Sequence, residues 1–250
     1  MKIVIIGGTG LIGSQVTNIL KGEHDVIVAS PETGVNTITK EGLDDALIGA
    51  NVVIDLSNSP SFADDDVMNF FKTSNENLLK AEKKAGVQIH IALSVVGTHK
   101  MQDSGYFRAK QVQENLIKES GIPYTIVHAT QSFEFAGSIA AMSTVEGKVY
   151  LSDAFIQPIA SANVAAFIAK VALEKPSEVI LEIGGPEKFH LNEWITDYLK
   201  ITNKPLEVVV KSNASYSGVV LTPTMLIPEN AVYLGDINYS DWISKPENKR

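Results

Sequence analysis

Tyr106-Phe107-Arg108-Ala109-Lys110 sets a phenol and an ammonium at positions i and i+4. In a helix those positions share a face. A phenol ordinarily ionises near pH 10, and a neighbouring ammonium stabilises the phenolate and lowers that value. Such a pair can pass a proton to or from a carbonyl or hydroxyl oxygen. Ser94, upstream on a different element, can donate a hydrogen bond to the same oxygen. The plainer role for Tyr106 and Lys110 is a tyrosine packed at a helix start and a lysine in solvent.

A second group is built from backbone. Gly7-Gly8-Thr9-Gly10-Leu11-Ile12-Gly13 follows an apolar run and opens a segment of helical spacing. In that context one glycine permits the tight turn, one lets a pyrophosphate approach the chain, and one lets helix and strand pack closely. The helix start, with Leu11, Ile12 and Gly13, supplies unpaired N–H groups and a partial positive charge. Thr9 adds a hydroxyl. The spacing is Gly-x-x-Gly-x-x-Gly rather than Gly-x-Gly-x-x-Gly, and the implied ligand is a nicotinamide dinucleotide. The end of the second strand reads Val28-Ala29-Ser30-Pro31-Glu32. An acidic residue there selects NAD through the ribose 2′-hydroxyl. Ser30 at that position carries no charge to repel a 2′-phosphate, so NADP(H) is favoured over NAD(H). Glu32 facing the ribose, or Ser30 merely opening a turn, are the alternatives.

The elements that must hold these residues alternate regularly. Strands are expected at Lys2–Ile6, Asp25–Ala29, Val35–Ile38, Asn51–Leu56, Gln88–Val95 and Tyr124–His128. Helices are expected at Leu11–Lys21, Glu41–Ile48, Asp64–Ala85 and Gly105–Ser120, the last three closed by Gly49, Gly86 and Gly121. Strand-helix repetition of this kind implies an α/β fold, a Rossmann-type doubly wound parallel sheet. Beyond residue 130 the pattern loosens into helices at Ser161–Glu174 and Leu191–Thr202, strands at Val179–Ile183 and Leu206–Val210, and a short helix around Trp242. The expectation is one domain over 1–250. Residues 1–130 form the dinucleotide-binding core, 131–250 mainly a small C-terminal substrate-side lobe, and Lys245–Arg250 frays.

Ligands of this fold sit beyond the carboxyl ends of the strands. Ser57-Asn58-Ser59-Pro60 should border the dinucleotide. Ala129-Thr130-Gln131-Ser132-Phe133-Glu134-Phe135 should border the substrate, with Phe133 and Phe135 as an apolar wall and Gln131 as a polar contact. Packing of the lobe is the alternative for the two phenylalanines. A wall of that kind suits a flat, uncharged carbonyl compound or quinone.

Composition narrows the classes. Lys and Arg total 21 against 29 Asp and Glu, for a net charge of −8, and cysteine is absent. An acidic surface repels a phosphate backbone, so no nucleic-acid partner is expected. Without cysteine there is no disulfide, zinc-thiolate site or cysteine nucleophile. Asp64-Asp65-Asp66 complements a helix dipole, the five histidines show no ligand spacing, and no metal is expected. Nothing reads as a signal peptide or membrane span, and a cytoplasmic protein is expected.

Further residues carry a resemblance. Lys110 with Glu114, then Ser120-Gly121-Ile122-Pro123-Tyr124-Thr125-Ile126-Val127, is similar to the NmrA-like atypical branch of the short-chain dehydrogenases/reductases. So are Gly49-Ala50-Asn51-Val52-Val53-Ile54, Gln157-Pro158-Ile159-Ala160 leading into Asn163-Val164-Ala165, and Ile183-Gly184-Gly185-Pro186-Glu187. The chain departs in carrying His128 where arginine is frequent, Asn163 where Asp is frequent, and no arginine at the second strand. It carries the tyrosine that many relatives lack. The resemblance implies a nicotinamide-binding Rossmann core, often for NADP(H), and a catalytic set of Tyr106, Lys110 and Ser94. Lys110 would also hold the nicotinamide ribose. It spans quinone and ketone reductases as well as regulators that bind the dinucleotide without turning it over. The expected function is therefore an NAD(P)H-dependent oxidoreductase acting on a small molecule, with a non-catalytic redox sensor second and a sugar epimerase or dehydratase last. Paired amphipathic helices would allow a homodimer.

Overall fold

The computed structural model describes residues 1–204 and 206–249. The β-branched run Lys2–Ile6 forms strand β1, buried along all but its first residue. It is followed by α1 (Leu11–Leu20), β2 (Asp25–Ala29), α2 (Leu43–Leu47), β3 (Val52–Asp55), α3 (Asp64–Ala85), β4 (Ile89–Val95), α4 (Gly105–Glu119) and β5 (Tyr124–Ala129). Then come α5 (Ala136–Met142), β6 (Thr144–Val145), β7 (Lys148–Leu151), β8 (Phe155–Ile156), α6 (Ser161–Ala172) and β9 (Ile180–Gly184). The chain closes with β10 (Phe189–His190), α7 (Leu191–Ile201), β11 (Glu207–Val210), β12 (Ser215–Tyr216), β13 (Val219–Val220), β14 (Ala231–Leu234) and α8 (Tyr239–Ser244).

The central sheet is parallel and seven-stranded, in the order β14-β9-β5-β4-β3-β1-β2. Val4 pairs with Ile27 on one side and Val53 on the other, so β1 lies well inside the sheet. Residues are buried on both faces of such strands, which is why they read as continuous apolar runs. Val4, Ile6, Leu43, Leu47, Val53 and Leu78 form one cluster of the core. Each fully buried leucine there is worth about 1.5–3 kcal/mol. Helix α3 begins on three aspartates and ends on Lys83 and Lys84 before Gly86, whose φ of 75° only glycine adopts without strain.

Two compact units emerge. The first comprises Met1–Ser94, Gly105–His128 and Val164–Leu181; the second comprises Val95–Ser104, Ala129–Asn163 and the chain from Glu182. A single cut near residue 130 does not describe this division. The segment Val164–Leu181 returns to the first unit, where the Ile126 amide donates to the Val179 carbonyl. The second unit holds small sheets that composition does not announce, β11-β7-β6, β10-β8 and β12-β13, several of two residues each.

Two local expectations are corrected. Val35–Ile38 is not a strand. Gly34 turns left-handed at φ 81°, and the Asn36 side-chain oxygen accepts from the amides of Ile38 and Thr39. The carbonyls of Thr37 and Ile38 accept from Asn77 on α3. Side chains thus take the hydrogen bonds a ladder would need. The tail does not simply fray: Pro246–Asn248 forms a turn, and the Asn248 amide donates to the Trp242 carbonyl at 2.7 Å. Arg250 lies outside the described residues.

The core of the first unit also contains an ion pair. His90 Nδ1 lies 2.9 and 3.0 Å from the two Glu82 oxygens, with both residues fully buried. Burial alone would lower the imidazole pKa, but the Glu82 carboxylate, assisted by Asp55, holds it above the ordinary value. Burial raises that of Glu82. Both shifts mean that the folded state binds more proton than the unfolded one, so stability falls as pH rises. The contribution is present below the unfolded histidine value of 6.5 and is lost above it, through the raised folded value. Urea midpoints at pH 6 and pH 8 should therefore decline in the wild type, and the decline should shrink in Glu82→Gln. An equal decline in both proteins would refute this.

Candidate functional site

All of the expected dinucleotide and catalytic residues fall in the first unit. Gly7 follows β1 at φ +73°, and a Cβ there would stand 2.8 Å from the Leu56 carbonyl oxygen and 3.0 Å from the Ser57 nitrogen. A Cβ on Gly13 would stand 2.2 Å from the Gly7 oxygen. The loop is therefore pressed against both its own helix and the segment after β3. Helix α1 starts at Leu11 with Gly10 as N-cap, no side-chain cap and no acidic residue in its first turn. Its leading N–H groups are thus not spent on a cap from the protein. This cradle fits the pyrophosphate of a dinucleotide.

Beside it, Thr9 Oγ1 donates to Glu32 Oε2 at 3.1 Å. Hydrogen bonds from its own backbone amide and from the Ser30 and Thr9 hydroxyls hold the Glu32 carboxyl below its usual pKa. Ser30 is buried and caps the turn Pro31–Thr33 in a reciprocal arrangement with Thr33.

Helix α4 places Tyr106 and Lys110 as the spacing predicts, but their polar ends go to different partners. Tyr106 is partly buried, its ring edge-on to Phe71 and Phe107 and tilted against Phe62. Its hydroxyl donates to Asn58 Oδ1 at 3.3 Å. Burial pushes its pKa up. Lys110 is 2% exposed. Its Nζ donates to the Leu93 carbonyl at 2.9 Å and to Gln113 Oε1, and lies 4.5 Å from the Phe71 ring centre. Burial lowers its pKa to about 8, against the pull of the Asp55 and Glu114 carboxylates. The expected effect of Lys110 on the phenol is therefore not what this arrangement displays: desolvation dominates Tyr106, and the ammonium is held by other groups.

Ser94 ends in a separate cluster. Its hydroxyl donates to Glu114 Oε1 at 2.6 Å, and His128 Nε2 lies 2.7 Å from the same oxygen. Burial works to raise the Glu114 pKa, but the hydrogen bonds from His128 and Ser94 and the nearby Lys118 outweigh it and hold it low. Ser94, expected to orient a substrate oxygen, is here tied to a buried carboxylate.

In the second unit Gln131 is buried, and its Oε1 is without a hydrogen-bond partner. Phe133 is fully buried against Tyr239 and Trp242, which is the packing role rather than an open wall. Phe135 is partly buried at the end of a short turn before α5.

Asp55, Gln113, Glu114 and His128 were not singled out for chemistry by their types alone. A signal existed for three of them. Lys110, Gln113, Glu114 and Ile117 recur at i, i+3, i+4 and i+7, the spacing of a buried helix stripe, and all four are buried. Asp55 is likewise the charged residue in an otherwise apolar strand, 1% exposed. Asp64 pairs with Arg108 at 2.7 Å, and among the described residues no group of three or more histidines and carboxylates gathers as a metal site. No described helix is long and apolar enough to cross a membrane.

Residues 7–175 match the NAD(P)H-binding family. The photosystem II assembly factor Ycf39 of Cyanophora paradoxa is 29% identical over 141 residues, which are 50% of this chain and 44% of that relative. The matched stretch thus spans less than half of that protein. Among solved structures, a dTDP-4-dehydrorhamnose reductase from Clostridium acetobutylicum aligns with a TM-score of 0.69 at 17% identity, over 94% of this chain and 95% of that one. An NADPH-dependent quinone oxidoreductase from Escherichia coli aligns with a TM-score of 0.62 at 20% identity, over 85% and 78%. A triphenylmethane reductase from a Citrobacter species aligns with a TM-score of 0.65 at 16% identity, over 85% and 79%. At these identities the likeness is one of fold.

Proposed function

The chain belongs to the NAD(P)H-binding family, and from that premise we propose that it is a dinucleotide-dependent oxidoreductase reducing a small, uncharged carbonyl compound or quinone. The observation that carries the reading is Tyr106. Its hydroxyl is hydrogen-bonded to Asn58, one residue beyond the Ser57 nitrogen that abuts Gly7 of the glycine loop. The glycine loop and the start of α1 hold the pyrophosphate. Bound dinucleotide supplies the hydride. Tyr106 supplies the proton to the substrate oxygen, and burial keeps it in the protonated form at neutral pH. Lys110 keeps a positive charge close to that helix turn.

The test is NADH and NADPH consumption by purified protein against a panel of quinones and ketones. Consumption supports the reading. Tight binding without consumption by any acceptor favours the second one, a redox sensor that binds without turnover. What favours the sensor is that the phenol is bonded to Asn58 while Lys110 is engaged by Gln113 and Leu93.

For the choice of dinucleotide, a free Ser30 hydroxyl would support NADP(H). With Ser30 used in a turn cap and the Glu32 carboxylate against Thr9, the balance of support moves to NAD(H). A carboxylate accepts from a ribose hydroxyl and repels a 2′-phosphate. Wild-type protein is expected to bind NADH about tenfold more tightly than NADPH, a difference near 1.4 kcal/mol. Glu32→Gln should remove most of that ratio in a fluorescence titration. A wild-type preference for NADPH would sink this assignment.

A further inference from the structure

The stripe of α4 that faces inward ends in a row of hydrogen bonds whose direction is fixed by chemistry. Lys110 has only donors to give, and the Asp55 carboxylate only acceptors. Gln113 stands between them, 1% exposed, with one carbonyl and one NH₂ group. A single orientation of its amide satisfies both neighbours. Oε1 accepts from Lys110, and Nε2 donates to Asp55 Oδ2 at 2.9 Å. The other Asp55 oxygen accepts from the Ser57 amide at 3.0 Å and the Ser57 hydroxyl at 2.6 Å. That Ser57 amide belongs to the Leu56–Ser57 peptide against which Gly7 is packed. An unbroken row of hydrogen bonds therefore joins Ser57, Asp55, Gln113 and Lys110, and its Ser57 end packs against Gly7 of the glycine loop.

We propose that Asp55 and Gln113 are positioning residues that fix the Lys110 ammonium and tie it, through Ser57, to the segment holding the dinucleotide. Displacement of the glycine loop on binding then moves the lysine with it. The activity arm rests on the oxidoreductase reading; the spectroscopic arm does not. Asp55 of β3 and Glu114 of α4 act on Lys110 directly. Asp55 in turn acts on Glu82 of α3 and His90 of β4, and Tyr106 lies one turn earlier on α4. Any pH profile contains these groups.

The polarity of the row supplies the test. Asp55→Asn sets a donor against the Gln113 NH₂, or forces that amide to turn its NH₂ toward the ammonium. Gln113→Glu sets two carboxylates against each other. The double variant restores complementarity: the new amide at position 55 donates to the new carboxylate at 113, which accepts from Lys110. Each single variant is expected to lower kcat/KM about 10- to 100-fold, the range for outer partners of a functional group. The double should recover to within about threefold of wild type. The Lys110 side chain, followed by NMR of ¹³Cε-labelled lysine and identified by its loss in Lys110→Arg, should titrate lower in Asp55→Asn than in wild type. It should titrate higher in the double, whose carboxylate adjoins it. A double variant no better than the worse single, with the Lys110 titration unmoved in all of them, overturns the proposal. A wild type that consumes no NAD(P)H counts against the oxidoreductase reading alone and leaves the titration to decide the relay. Should the buried variants not fold, Ser57→Ala removes one donor to Asp55 and is a smaller change. It should raise the Kd for NADH and shift the Lys110 titration together, and a changed Kd with Lys110 unmoved refutes the link.

Discussion

Tyr106→Phe is expected to lower kcat/KM for a carbonyl or quinone acceptor about a thousandfold, within the range of 10² to 10⁴ for a lost general acid. The Kd for the dinucleotide should change less than about threefold, because the pyrophosphate cradle is built from the glycine loop and α1. The substitution is conservative for the fold. The ring contacts with Phe62, Phe71 and Phe107 remain available to phenylalanine, and what is lost is one hydroxyl bonded to Asn58 at 3.3 Å. Because burial raises the tyrosine pKa, the reductive rate should stay flat through neutral pH, with Tyr106 contributing a decline only in alkali. Activity that survives intact in Tyr106→Phe would mean that another group supplies the proton.

The second large effect is expected at Gly13. A methyl group there would sit 2.2 Å from the Gly7 oxygen and 2.7 Å from Gly8 Cα. Both are backbone atoms, so neither can swing aside as a side chain would. In Gly13→Ala the loop must lift from α1, and the N–H groups at the helix start no longer converge. Dinucleotide binding should weaken at least about a hundredfold. Overpacking should cost about 1–3 kcal/mol, which for a chain of this size lowers Tm by roughly 2–4 °C per kcal/mol. Gly22→Ala is the control, since nothing lies within 4 Å of its added methyl. Equal binding by Gly13→Ala and Gly22→Ala would refute the packing argument.

The sheet was legible in the sequence because parallel strands buried on both faces leave continuous apolar runs, as in Val52-Val53-Ile54 and Ile3-Val4-Ile5-Ile6. Helix ends were legible where a left-handed glycine closes them, as Gly86 closes α3. The glycine loop was legible because its function lies in backbone, which glycine spacing reports directly. Side-chain destinations were much less so. Spacing places Tyr106 and Lys110 on one face of α4 but does not say where a four-carbon stem ends, and Lys110 turns to Gln113 and Leu93. Ser94 could not be assigned without knowing that Glu114 of α4, itself bonded to His128 of β5, accepts from its hydroxyl. Val35–Ile38 has strand composition, yet Asn36 and Asn77 take up its backbone groups. The second unit was illegible for a different reason: two-residue strands such as β8 and β10 have no periodicity to detect.

The irregularity in β14 has a consequence for life at high concentration. This strand is the outermost of the sheet beside β9, and it exposes Val232 and Leu234. An apolar rim of that kind invites a neighbouring molecule to add its own strand and begin a fibre. The register shift between Ala231 and Tyr233 interrupts the pairing with Glu182 and Ile183 and twists the ribbon locally. A rim interrupted in this way is a poorer template for a further strand than a regular one.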